Sequence, residues 1–170
     1  MDFADTSLFT ETWLPLSVIA VRLALATFFG ALVGFEREWR NRPAGLRTHI
    51  LVCLAACTVA LLTIEITHHS VFDQKSIRID PLRLIEAVTS GVAFLAAGVI
   101  IFARGEIHGL TTGAGLWLAG AIGLATGLGY VTIAMIATLF ALFVLALLRI
   151  VEHRIIPNNG NKHSDGERTN

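Results

Sequence analysis

The sequence predicts an all-α protein: a polytopic bundle of about five transmembrane helices, with the N-terminus outside and the C-terminus cytoplasmic. Three observations carry this. Hydrophobic residues make up 54% of the 170, charged residues only 15%, and mean hydropathy is +0.68, whereas about a quarter of a soluble domain is charged. The tract 109–148 contains no Asp, Glu, Lys or Arg; as one helix it would reach roughly 60 Å, twice a ~30 Å hydrocarbon core, so it must fold back on itself. Finally, the apolar runs are 17 to 20 residues long, too long for the ~10-residue alternating strands of an outer-membrane barrel.

Residues 1–15 form the segment before the first span, on the outer, periplasmic side. Asp2, Asp5 and Glu11 stand there without Lys or Arg, the reverse of a secretory leader, so the first span is expected to persist as a helix. It covers about 16–35, the second about 48–66, and the third about 84–103. The charge-free tract divides at Gly127-Leu128-Gly129 into spans of about 110–128 and 130–148. Residues 16–150 are one membrane domain. The tail, 151–170, is almost free of apolar residues from Pro157 onward and is expected to be disordered in the cytoplasm.

Orientation follows from the basic residues, which concentrate on the cytoplasmic side. With five spans, Arg37, Arg40, Arg42, Arg47, Arg104, Arg149, Arg154, Lys162 and Arg168 share one side, against Lys75, Arg78 and Arg83 on the other. Trp13 and Tyr130 would then mark the outer interface and Trp39 the inner one.

Small residues recur at helical spacing. Ala26, Gly30 and Gly34 do so in the first span, Gly91 and Gly98 in the third, and Ala119, Gly123 and Gly127 in the fourth. Such faces let backbones approach where lipid gives little hydrophobic drive between helices. They serve packing within one bundle or a homodimer interface. Cys53 and Cys57, four apart on the second helix, are badly disposed for a disulfide and read as small packing residues.

Ionisable groups near the membrane are costly unless paired or wet. Arg22, one and a half turns into the first span, is expected to pair with Glu86 or Glu65. The alternative is an outer vestibule in which Glu65, Glu86 and Asp80 attract a hydrated divalent cation. On the other side, Glu36, Arg37, Arg47, Thr48, His49, Arg104, Thr111 and Thr112 gather in two connectors. Thr48 is a candidate N-cap whose helix start binds an anion with Arg47. These residues are either caps, salt bridges and headgroup contacts, or one polar site in which Glu36 pairs with Arg47 or Arg37.

Several ordered motifs resemble the MgtC/SapB membrane proteins. They are Gly30-x-x-x-Gly34-x-Glu36-Arg37, then Arg42-Pro43-Ala44-Gly45-Leu46-Arg47-Thr48-His49, then Asp80-Pro81-x-Arg83. Ser90-Gly91-x-x-Phe94-Leu95-x-Ala97-Gly98 and Gly109-Leu110-Thr111-Thr112-x-Ala114-x-Leu116-Trp117 follow. Ala96 and Gly113 depart from the usual Gly and Ala. The resemblance, over residues 16–150, implies a multi-pass protein of the bacterial inner membrane. It implies a link to Mg2+ homeostasis, adaptation to low Mg2+ or acid stress and, in pathogens, virulence. The family's longer members carry a soluble C-terminal ACT-like domain, and this chain reads as the short form.

Two functions follow. In one, the bundle regulates a partner in the membrane, such as a P-type Mg2+ pump or the ATP synthase. In the other it is a homodimeric Mg2+ carrier or channel, with Glu36, Asp80 and Glu86 as candidate metal ligands and Mg2+ as substrate or signal. No cofactor and no nucleic-acid partner are expected. Enzymatic activity is not expected either, because Ser90 has no His or Lys at its depth and His49 lies near an edge.

Overall fold

The structure is a computed structural model that describes residues 11–68, 80–103 and 106–155. Asp2 and Asp5, the Lys75 and Arg78 loop, Arg104 and the tail from Pro157 lie outside them. Among the described residues five helices make the bundle: α1 (Leu16–Trp39), α2 (Leu46–His68), α3 (Pro81–Gly98), α4 (Leu110–Gly127) and α5 (Val131–Ile155). Four of them, α1, α2, α4 and α5, are long and apolar enough to cross a membrane.

Their boundaries have local causes. Pro15 cannot continue a helix backwards, yet its carbonyl accepts from Val18 N (2.9 Å) and opens α1. Asp80 caps α3, its carboxylate accepting from Leu82 N at 2.9 Å, with Pro81 in the first turn. Gly129, at φ +91°, makes the turn between α4 and α5.

Two boundaries differ from the sequence expectation. The third span was placed at 84–103, but its helix runs Pro81–Gly98, and Ile101–Ala103 (β1) instead pairs antiparallel with Glu106–His108 (β2), Phe102 opposite Ile107. Apolar content identifies a buried or lipid-facing run without distinguishing helix from a short strand. Likewise α5 continues past residue 148 to Ile155, because backbone hydrogen bonding carries a helix beyond the uncharged run, through Arg149, Glu152 and Arg154.

The core lies where α2 is gripped between α1 and α4. A Cβ on Gly30 would stand 2.9 Å from the His49 carbonyl oxygen, and one on Gly34 2.8 Å from Leu46 Cα. From the other side, Gly123 abuts the Cys53 backbone, and a Cβ on Gly127 would come 2.6 Å from the Cys57 carbonyl oxygen. Cys53 and Cys57 are free thiols, fully buried at the centre of this contact with Ala26, Phe29, Val33 and Ile122. A second cluster joins α3 to α4 through Val88, Val92, Leu116 and Ala119.

The outer face of α3 behaves differently. Nothing lies within 4 Å of a Cβ built on Gly91 or Gly98. Phe94 and Leu95, which share that face by helical spacing, are exposed, Phe94 by 80%. The expected small-residue contact on α3 is therefore not made among the described residues. Elsewhere, large apolar side chains such as Phe28, Phe140, Phe143 and Leu139 point outward, as they do when the surroundings are hydrocarbon.

Candidate functional site at the arginine-rich end of the bundle

The turn from α1 to α2 is built by a side chain that sequence reasoning overlooked. Glu38 reaches across it, and its carboxylate accepts from Leu46 N at 3.0 Å, capping α2. Gly45 leaves the space for that carboxylate, which a Cβ there would occupy. Thr48, expected as the N-cap, instead lies inside the first turn of α2, since the helix starts at Leu46. Glu38, four residues past Gly34, carries no sequence signal of this reach.

Beneath the turn, the last turn of α1 faces α4. Arg37 is only 4% exposed, and its Nη2 donates to Thr112 Oγ1 at 2.8 Å. One turn further in, His49 is fully buried; its Nδ1 lies 3.0 Å from the Gly45 carbonyl, so Nδ1–H donates there and neutral Nε2 is left as an acceptor. That Nε2 points at Gly115, where a Cβ would stand 3.1 Å away. Gly115 therefore belongs to the site, although no sequence motif had marked it. The Arg37–Thr112 and His49–Gly115 contacts form two successive layers between α1, α2 and α4.

Glu36 does not take the expected partners, Arg47 or Arg37. Its carboxylate binds Arg40 at 2.8 Å, because residues four apart on a helix are neighbours. Arg47 is exposed on α2 and Thr111 is exposed at the start of α4. The site thus unites Arg37, Thr112 and His49, keeps Glu36 beside them, and leaves Arg47 and Thr111 at its rim.

Among the described residues, three buried polar atoms in this region lack a hydrogen-bond partner: Glu36 Oε2, Arg37 Nε and His49 Nε2. They comprise two acceptors and one charged donor, a set suited to holding a polar group rather than attacking one. A groove of about 420 Å3 starts at Arg37 and Thr111 and descends between α1, α4 and α5 along apolar walls.

At the opposite end, Arg22 forms no pair with Glu86 or Glu65. Its Nη1 donates to the Gly127 carbonyl at 2.8 Å, satisfying an acceptor left open at the C-terminus of α4, where a cation is favoured. Glu65 is engaged by Trp13 N (2.6 Å) and Leu14 N (3.0 Å). The candidate metal ligands do not converge: Glu36 lies in the last turn of α1 and binds Arg40, Asp80 caps α3, and Glu86 is exposed on α3. Among the described residues, no three of His, Cys, Asp and Glu are grouped to hold a metal ion.

The profile of the MgtC family matches residues 23–154, which include both glycine faces and the whole Arg37 site. The chain belongs to the MgtC family. It is 38% identical to Protein SapB of Bacillus subtilis over 82% of its own length and 60% of that relative's. It is 39% identical to Protein MgtC of Brucella abortus over 81% of this chain and 54% of the relative. For Protein MgtC of Salmonella typhimurium the identity is 38%, over 79% and 54%. The chain therefore spans little more than half the length of these MgtC and SapB relatives. No solved structure matches it significantly.

Proposed function

We propose that this MgtC-family chain is a non-enzymatic regulatory module of the bacterial inner membrane, N-terminus outside, that docks beside another membrane protein through the outer face of α3. The observation that carries this is the contrast among its glycines. Gly30 and Gly34 of α1 and Gly123 and Gly127 of α4 are closed against α2, while Gly91 and Gly98 stand open beside exposed Phe94 and Leu95. In lipid, an open small-residue face with flanking large side chains is a ready surface for a second helix. The family's names support a role in Mg2+ homeostasis, and with it adaptation to low Mg2+ and virulence, which fits a partner such as a P-type Mg2+ pump or the ATP synthase. A second copy of the chain is the alternative occupant of α3.

A Mg2+ carrier is the weaker reading for one chain. The buried hydroxyls of Thr126 and Thr138 donate back to their own helices at 2.8 Å, and Mg2+ gives up its waters only to well-placed oxygens. The test places a photo-crosslinking residue at Phe94 in native membranes. A crosslink to a distinct membrane protein, lost on Gly91→Leu, is expected. Mg2+ flux into dye-loaded liposomes containing only this protein, abolished by Glu36→Gln, would overturn the regulatory reading.

A further inference from the structure

Arg37 is a cation buried at the edge of the membrane domain, and among the described residues no carboxylate is hydrogen-bonded to its guanidinium. Thr112 Oγ1, a neutral acceptor, takes Nη2, Nε has no partner, and neighbouring Glu36 is bound to Arg40. Buried charge is stable only when compensated. The site is positive for a second, independent reason. Arg37 meets α4 at its first turn, and the α4 N-cap is Gly109, which provides no side-chain acceptor for the open amides there. Both features ask for an anion at the same place.

The shape of the site says what carries that anion. From Arg37 and Thr111 the groove runs down between α1, α4 and α5 over Val33, Leu118, Ala137 and Phe140. Its volume, about 420 Å3, is within the ~300–1,000 Å3 range of ligand sites. Below its mouth the lining is almost wholly apolar, and its rim is formed by outward-facing Phe140, Val144 and Leu148. Trp39, half a turn beyond Arg37 and exposed, sets this mouth at the depth where headgroups meet hydrocarbon. An inorganic anion would leave the apolar walls unused, and a zwitterionic lipid would bring its own cation beside its phosphate, leaving the net positive charge of the site in place.

We infer that the groove is a site for one anionic phospholipid, its phosphate held by Arg37 and the start of α4 and an acyl chain lying between α4 and α5. Basic pockets between membrane helices bind acidic headgroups by the same electrostatics. The site lies away from the outer face of α3, so it stands whether or not α3 docks a partner.

The full chain, purified in mild detergent, is mixed with equal amounts of phosphatidylglycerol and phosphatidylcholine of identical acyl chains, and bound lipid is read by native mass spectrometry. One phosphatidylglycerol per chain is expected, preferred about tenfold because the choline of phosphatidylcholine places a second cation at an already positive site. Arg37→Gln should bring the two lipids close to parity. Ala114→Trp, at an exposed groove position, should lower phosphatidylglycerol retention about tenfold with Arg37 intact, and it decides the matter if Arg37→Gln does not fold. Excess inorganic phosphate should displace nothing. Equal retention of both lipids, insensitivity to the folded variants, displacement by phosphate, or a photo-crosslinker at Ala114 that captures a protein helix in place of lipid would each overturn the site.

Discussion

The α2 surface that meets α1 and α4 and the outer face of α3 carry similar sequence signals, small residues at helical spacing, yet they end in opposite states. Around α2, glycines on both flanking helices bring backbones so close that even a methyl group collides with Cys53, Cys57 or His49. On α3, Gly91 and Gly98 meet empty space. What separates them is the partner. Cys53, Cys57 and Ala60 present a narrow surface that two helices straddle, whereas α3 uses its other face, Val88, Val92 and Ala96, to pack on α4. A small-residue face is thus a capacity for close approach, used by α1 and α4 against α2 and left unused on the outer face of α3 among the described residues.

The largest effect that would break this comparison is expected for Gly123→Leu. Its side chain would enter the Cys53 backbone, so about 3 kcal/mol or more should be lost, read as disappearance of the monodisperse detergent particle in size-exclusion chromatography. A preserved particle would remove the α2–α4 contact from the core. Gly30→Ala is gentler, since its Cβ would stand 2.9 Å from the His49 carbonyl oxygen; a loss of about 1–2 kcal/mol is expected, measured by thermal unfolding. Arg22→Gln should remove about 1–2 kcal/mol by leaving the Gly127 carbonyl without its charged donor. If Glu86→Gln were to produce the same loss, the ion pair would have to be restored.

Smaller still is Glu38→Ala, which strips the cap from Leu46 N and should cost about 1 kcal/mol. Amide hydrogen exchange at the start of α2 would show it as faster exchange confined to that turn. At the end of the scale, Gly91→Leu should change the stability of the isolated chain by no more than about 0.5 kcal/mol, while abolishing capture at Phe94 in membranes. A destabilisation like that of Gly123→Leu would mean that α3 packs within the chain after all.

The polar site was legible in part. Arg37, His49, Thr111 and Thr112 were drawn together because apolar flanks leave polar residues conspicuous, and the structure brings Arg37, His49 and Thr112 into adjacent layers. Their partners were not legible. Glu36 turned to Arg40, Glu38 supplied the cap expected of Thr48, and Arg22 found a carbonyl where a carboxylate was expected. A carbonyl acceptor exists at every residue and leaves no mark in the sequence, so a helix C-terminus can satisfy an arginine as silently as it did here.

By itself, the sequence determined that this chain is a bundle of helices suited to a membrane, and roughly where each helix lies. Long uncharged runs admit no other way to satisfy their backbone polar groups in hydrocarbon, and the ordered motifs place the chain among its relatives. Only the tertiary structure decided which glycine faces close, that α2 is the helix held on both sides, and that Arg37 stands buried at the head of an apolar groove. Those outcomes depend on contacts between helices, from Gly34 with Leu46 to Arg37 with Thr112, and helical periodicity records which way a residue faces but not what it meets.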